Sequence, residues 1–406
     1  MNVLFLTMSE QMLNISASGI YTDLARMFRD EGHKVYVMLP FERRTGRNTE
    51  LYVNEGIHFL GVKTLNVVKT NVIEKGLGQV LLEGQFKSAL KKYLGNVKFD
   101  LIMYSTPPIT FTKVISSAKK MNPGAVAYLM LKDIFPQNAV DLGMLSKNGV
   151  KGLLYKSFRK KEKKLYEVSD VIGCMSPANV KYLLEHNPEV SKQKVEICAN
   201  SYNLIEDKEP EDGLRESIRV CHYLPVDKPI LLYGGNLGRP QGIPHLIECL
   251  RVNKNRTDCH FVVVGNGTEY PKLEKFINEE KPKNCTLFQR LPKEDYDKLA
   301  NACDIGLVFL DYRFTIPNYP SRLLPYIMGK KPIIACTDPN CDTGSIAEAN
   351  GYGFWCPSND VDAFTKVLDK ILVSDIKQMG ENGYKFYLDN YTVQKTYDTI
   401  VEHCNR

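Results

Sequence analysis

The residues best equipped for chemistry in this sequence are glycines set beside arginines. Leu231-Leu232-Tyr233-Gly234-Gly235-Asn236-Leu237-Gly238-Arg239-Pro240-Gln241-Gly242-Ile243 runs from an apolar stretch through glycines toward a helical pattern. Glycines let a diphosphate approach the backbone, and Arg239 would add a charge-assisted, bidentate bond. The plain reading of the same stretch is a tight turn carrying a solvated arginine. Further on, Ile316-Pro317-Asn318-Tyr319-Pro320-Ser321-Arg322-Leu323-Leu324 reads as a Pro-bounded loop feeding a helix from about Ser321. Its free amides, with Tyr319, Ser321 and Arg322, would make a second anion grip. Gly19 stands where a first helix should start and offers the same kind of grip, or else merely eases a turn. Lys132-Asp133 follows an apolar strand-like run; adjacent strand residues face opposite ways, so Lys132 is the better candidate to face a substrate, an ion pair being the alternative. Gly265, Arg290 and Leu291 also fall just past strand-like runs, where small or charged groups line the crevice of a doubly wound sheet.

Other chemistries are disfavoured. No Gly-x-Gly-x-x-Gly follows the first strand, and no Gly-x-x-x-x-Gly-Lys-Ser/Thr occurs, which argues against a nicotinamide enzyme and a P-loop hydrolase. The seven histidines do not cluster, and the eleven cysteines lack a Cys-x-x-Cys pair, so reduced core thiols are expected. Asp360-Val361-Asp362 precedes a helical stretch and reads as an N-cap with a first-turn acid. Neither a cofactor nor a metal is expected.

These groups need strands and helix starts to hold them. With 406 residues and 43% hydrophobic content, the chain can bury more than one core. Strand-length apolar runs at Val3–Thr7, Lys34–Leu39, Phe99–Tyr104, Ala125–Leu131 and Val171–Cys174 alternate with helical patterns. A polar stretch, Glu206–Gly213, reads as a link, and a second alternation follows at Ile230–Tyr233, His260–Val264, Cys285–Phe288, Ile305–Phe309 and Pro332–Ala335. From Val361 onward the pattern is helical. This predicts an α/β protein of two doubly wound, Rossmann-like domains facing a cleft.

Lys+Arg 53 against Asp+Glu 47 leaves +6, too mild for a nucleic-acid protein. The excess concentrates at Lys151–Lys164, where Lys156, Arg159, Lys160, Lys163 and Lys164 interleave with Leu153, Leu154, Tyr155 and Phe158. Such a helix could rest on anionic lipid or simply present a solvated face. The N-terminus has no basic leader and no apolar run is long enough to span a bilayer, so a cytoplasmic chain, peripheral on the plasma membrane at most, is expected.

The ordered set Gly19-Ile20-Tyr21, Gly32-His33-Lys34-Val35, Gly235–Gly242, Val264-Gly265-Asn266-Gly267, Ala302-Cys303-Asp304-Ile305-Gly306, Pro320-Ser321-Arg322 and Lys331-Pro332-Ile333-Ile334-Ala335 resembles glycosyltransferase family 4, retaining enzymes of GT-B fold. Lys132–Gly143 and Arg313–Leu324 are similar to a narrower group, the L-fucosamine transferases of bacterial surface polysaccharide synthesis. The resemblance implies an acceptor-binding domain at 1–200, a nucleotide-sugar domain at 201–385, and a last helix, 386–406, crossing back to the first domain. It implies hexosyl-type transfer of a deoxy-amino sugar, N-acetyl-L-fucosamine in the narrower group, from a UDP-sugar to a polyprenyl-diphosphate-linked glycan. Lys132, Asp133 and Arg239 would then be catalytic. Gly19, Gly235, Asn236, Gly238, Arg239, Tyr319, Ser321 and Arg322 would hold the diphosphate, and Gly265, Arg290 and Leu291 the base.

The departures are informative. Two family glutamates fall on Pro317 and Pro325, the phosphate Arg/Lys pair on Asn236 and Gln241, and a family histidine on Lys132. The narrower group shares some of these replacements, which reads as a different donor grip. A UDP-sugar 2-epimerase of the same fold and a degenerate, non-catalytic sugar-nucleotide-binding subunit are the alternatives.

Overall fold

The computed structural model describes residues 1–67, 70, 72–203 and 213–404, without the side chains of 72, 73 and 75. The expected link, Glu206–Gly213, lies outside the described residues except for Gly213. The chain forms two compact units: Met1–Asn203 with Tyr391–Arg406, and Leu204–Asn390.

The first unit holds eight strands: β1 (Asn2–Leu6), β2 (Lys34–Glu42), β3 (Glu50–Asn54), β4 (Ile57–Thr64), β5 (Leu101–Ser105), β6 (Val126–Leu131), β7 (Val171–Cys174) and β8 (Val195–Ile197). Their order is β3-β4-β2-β1-β5-β6-β7-β8. Neighbours run parallel except β3 and β4, a hairpin turning at Glu55 and Gly56, both at positive φ as a two-residue turn of this hand requires. Helices α1 (Ile20–Asp30), α2 (Val72–Leu94), α3 (Thr112–Met121), α4 (Gln137–Asp141) and α5 (Gly149–Val168) lie in the crossovers. Because parallel strands are covered on both faces, β5 is buried throughout: Ile102 and Tyr104 join one core cluster, Leu101 and Met103 the other.

In the second unit β9 (Ile230–Asn236), β10 (His260–Asn266), β11 (Cys285–Phe288), β12 (Ile305–Phe309), β13 (Ile333–Thr337) and β14 (Gly353–Pro357) form an all-parallel sheet, ordered β11-β10-β9-β12-β13-β14. Asp304 fastens its centre, accepting the Ile230 N–H at 2.7 Å and Arg219 Nη2 at 2.6 Å. In each unit the strand order reverses around one strand, β1 in the first and β9 in the second, and loops after such strands are where doubly wound sheets bind ligands.

The last helical stretch is two helices. Ile376–Asn390 belongs to the second unit, whereas Val393–Val401 returns to the first and packs on α1. Its Val393, Tyr397 and Ile400 share a core cluster with Leu24 and Phe28 of α1. His33 Nε2 lies 2.8 Å from the Tyr397 hydroxyl, and His403 Nε2 lies 2.8 Å from Glu196. Asp360 caps its helix by accepting the Ala363 N–H at 2.9 Å. Among the described residues no helix is long and apolar enough to cross a membrane, and no group of three His, Cys, Asp or Glu is placed to hold a metal ion.

Candidate functional site

In the second unit, the loop after β9 and the segment ahead of the helix Leu323–Met328 come together. The Arg322 guanidinium lies over the Tyr233 ring, 4.5 Å from its centroid, and Nη2 approaches the Asn236 carbonyl at 3.4 Å. Nη1 is buried and has no hydrogen-bond partner, an expensive arrangement for a charged donor unless something else accepts from it. A Cβ on Gly235, whose φ is +121°, would stand 3.8 Å from that guanidinium. That is ordinary contact, so Gly235 is required by its backbone conformation. The next strand comes far closer: a Cβ on Gly265 would meet the Gly235 carbonyl at 1.9 Å, which only glycine allows.

Asn236 and Gln241 hold each other. Asn236 Nδ2 donates to Gln241 Oε1 at 3.2 Å, and the same oxygen accepts the Gly238 N–H at 3.1 Å. The two positions that depart from the family's cationic pair thus brace the turn, leaving Arg239 exposed and without a partner among the described residues. Arg290 is also exposed, past the end of β11, and Leu291 beside it is half-buried. Tyr319 is buried in the loop before Ser321.

The second helix start differs from expectation. The helix begins at Leu323 with Arg322 as its cap, and the Leu323 and Leu324 amides already donate to the Pro320 and Ser321 carbonyls at 3.1 Å. The turn at Pro320 and Ser321 has taken up these two amides, and the Arg322 side chain keeps a donor unused.

A titratable residue that sequence reasoning missed lies past β13. Asp338 is fully buried; its Oδ1 accepts the Asn340 and Cys341 amides, while Oδ2 has no partner. Burial pushes its carboxyl up to about 7. An acid directly after a strand was its only sequence signal.

In the first unit, the ends of β5 and β6 and the start of α1 converge. The Tyr21 hydroxyl donates to Ser105 Oγ at 2.9 Å, and Thr106 Oγ1 bonds both the N–H and the carbonyl of Asp133 at 3.2 and 2.9 Å. Because β6 ends at Leu131, strand alternation no longer governs Lys132 and Asp133, and both are half-buried. Among the described residues neither the Lys132 ammonium nor the Asp133 carboxylate has a hydrogen-bond or ion-pair partner. Burial lowers Lys132 to about 8, offset slightly by Cys198, and raises the Asp133 carboxyl. An acid and a base both pushed toward neutrality mark a functional site more often than a structural one.

The Gly19 amide is spent internally. It donates to Asp23 Oδ1 at 3.1 Å, and this buried carboxylate also takes Arg26 Nη2 at 2.5 Å and the Asn203 N–H at 2.8 Å. Asp23, four residues into a helical pattern, already supplies negative charge at the N-terminus of α1.

The basic segment of α5 lines a cavity of about 600 Å³. Two of its cations are structural: Arg159 pairs with the buried Glu162 at 2.6 Å and Lys163 with Glu189 at 2.9 Å. Lys156, Lys160 and Lys164 remain, one per turn on a single face. The opposite wall, Glu189–Lys194, leads into β8, so the cavity faces the sheet edge where strands begin; Lys132 and Asp133 lie where they end. The structure does not bring the basic patch to that pair.

Residues 215–386 match the family model for glycosyl transferases group 1. The chain is 24% identical over 326 residues to a probable glycosyltransferase, WbjE of Pseudomonas aeruginosa, covering 80% of this chain and 78% of the relative. Two solved structures share its fold across nearly its whole length. Anabaena HepE in complex with UDP and glucose has a TM-score of 0.68 at 13% identity, covering 100% of this chain and 99% of that one. WaaG, a glycosyltransferase involved in lipopolysaccharide biosynthesis, has a TM-score of 0.66 at 16% identity, covering 98% and 99%. Two parallel α/β sheets with a returning C-terminal helix are the GT-B fold, residues 215–386 carry the group 1 match, and the protein is a glycosyltransferase.

Proposed function

We propose that this chain is a retaining transferase that moves a deoxy-amino sugar, N-acetyl-L-fucosamine, from a UDP donor to a polyprenyl-diphosphate-linked glycan. The observation that carries the donor half is the orphaned Nη1 of Arg322 beside Gly235 and Asn236, a buried donor without an acceptor on a half-buried cation whose Nη2 meets the Asn236 carbonyl. A diphosphate oxygen supplies what it lacks, and Arg239 adds charge from the solvent side of the loop. UDP as the carrier is supported by the HepE complex, and a surface-glycan acceptor by WaaG. The choice of sugar rests on the likeness of Lys132–Gly143 and Arg313–Leu324 to the fucosamine group.

In the transfer, the bond from the sugar's anomeric carbon to the diphosphate oxygen breaks and its electron pair leaves with UDP. The acceptor hydroxyl oxygen bonds that carbon on the same face, and its proton passes to the departing phosphate oxygen. Arg322 and Arg239 stabilise the charge that grows on the leaving group. Lys132 and Asp133, in the first unit, orient the acceptor hydroxyls, Lys132 as cation and donor and Asp133 as acceptor. We place Arg290 and the Leu291 backbone at the base. The three lysines Lys156, Lys160 and Lys164 rest on anionic headgroups at the inner face of the plasma membrane.

The pure protein, incubated with a panel of UDP-sugars and a GlcNAc-diphospholipid, should yield a glycosylated lipid with the anomeric configuration of the donor. An epimerised donor with no transfer would make it a 2-epimerase. Nucleotide binding with neither product would make it a non-catalytic subunit.

A further inference from the structure

The Gly234 peptide lies just past the place where two strands part. β12 pairs with β9 at Leu231 and Leu232, two residues short of Gly234. The Gly234 N–H donates instead to the Tyr326 hydroxyl at 2.9 Å, in a buried bond. Tyr326 in turn donates to the hydroxyl of Tyr296, which stands on the helix Lys293–Ala302. Two glycines make room for this pair. A Cβ on Gly306 would stand 2.4 Å from the Tyr326 ring, and one on Gly234 would stand 2.0 Å from the Tyr296 oxygen. Neither glycine has a positive φ, so close approach is the reason for both.

The two tyrosines stand around Arg322. Tyr326 follows it by four residues, one helical turn on, and Tyr233, whose ring underlies the guanidinium, directly precedes Gly234. Burial holds all three phenols above their ordinary range, and the Arg322 charge draws each part of the way back. A Gly-Gly pair has the widest backbone freedom, yet a ligand oxygen held between this loop and Arg322 needs both in register. The far end of the loop is braced by the Asn236–Gln241 bond. Tyr326 braces the near end.

We infer that Tyr326, backed by Tyr296, is the positioning residue of the donor loop: its hydroxyl pins the Gly234 peptide and so sets how Gly235 faces the Arg322 guanidinium. The inference rests on the reading of Arg322 as the diphosphate grip. Both tyrosines act through the loop and leave the contacts to UDP to Arg322 and the backbone.

Tyr326→Phe keeps the ring that fills the space over Gly306 and removes only the oxygen. In titration calorimetry it should weaken UDP binding about tenfold at unchanged stoichiometry, and Tyr296→Phe about threefold. Both losses should shrink to less than about twofold when Arg322 is already Met, because the pinned peptide then has no partner to face. The thermal midpoint of Tyr326→Phe should also fall, since the Gly234 N–H loses its acceptor. A purely structural hydroxyl would stop there, with UDP affinity native, and that result overturns the inference. Equal losses with and without Arg322 would mean that the hydroxyl meets UDP itself, and overturn it as well. If Arg322→Met alone leaves UDP affinity native, the diphosphate reading falls and the inference falls with it. If Arg322→Met weakens UDP and both phenylalanine variants bind like the native chain, only the inference falls. Should Tyr326→Phe not fold, Tyr296→Phe, which keeps the Gly234 bond, decides by the same cycle.

Discussion

Arg322 lies over Tyr233, its guanidinium carbon 4.5 Å from the ring centroid, with one of its two terminal nitrogens buried and unpaired. The ring and the Asn236 carbonyl hold the guanidinium in place, so the free nitrogen is positioned in advance. Stability and binding then make opposite demands on this residue.

Replacing Arg322 with Met should lower UDP affinity about 10- to 100-fold, the range for one or two charge-assisted bonds. It should leave the thermal midpoint unchanged or raise it, since a buried unpaired donor is removed. Titration calorimetry with UDP and a thermal scan on the same sample check both. A large fall in midpoint with UDP affinity retained would mark Arg322 as purely structural.

Asn236→Ala and Gln241→Ala should each weaken UDP binding a few-fold by loosening the Gly235–Gly242 turn. Their shared bond makes the effects non-additive, so the double variant should cost little more than either single one. Additive losses in the double-mutant cycle would mean that each side chain meets the nucleotide independently.

Lys132 should give activity and stability opposite pH slopes. In the folded chain its ammonium gives up its proton near 8, and in the unfolded chain near the ordinary lysine value of about 10.4. Between those values the unfolded chain binds the extra proton, so stability rises with pH, while the charged form needed for transfer disappears. The kcat/KM profile should fall with a midpoint near 8, and Lys132→Arg should flatten that limb. Lys132→Met should lose roughly 100-fold below pH 8, and its deficit should narrow as pH rises above that midpoint and the native chain loses the same charge.

Asp338 titrates the other way. Its folded carboxyl sits near 7 and its unfolded one near about 3.9, so the folded state binds more protons in between. That stability is complete below about 4 and is lost as pH rises through 7. Asp338→Asn should flatten the fall, gaining in thermal midpoint relative to the native chain at pH 8 but not at pH 4. Parallel curves for the two proteins would show that Oδ2 is satisfied in solution.

Most of the parallel framework was legible because strands buried on both faces read as continuous apolar runs, as at Leu101–Ser105 and Ile333–Thr337. The unexpected strands β3, β8 and β14 are partly solvated sheet edges; β3 and β8 have no such run, and the short run of β14 is bounded by Gly353 and Pro357, which read as turn residues, while β4 entered with its hairpin partner. Within the candidate site, spacing singled out Arg322 and the Gly235 loop, which the fold brings together, but not how their amides were spent. Which donors a turn consumes depends on its closing geometry, as Pro320 and Ser321 show by taking the amides of Leu323 and Leu324. Asp23 and the Asn236–Gln241 bond stayed hidden for the same reason, since side-chain partners across a loop leave no periodic trace. The basic run of α5 was plain to see, but its division into paired and free cations depended on the buried Glu162 and on Glu189 from a later loop.

The return of Val393–Val401 to α1 makes the first unit discontinuous in sequence, whereas Leu204–Asn390 is one uninterrupted segment. A chain cut before residue 391 would therefore keep every residue of the second unit and leave the first unsealed, with Leu24 and Phe28 deprived of Tyr397 and Ile400.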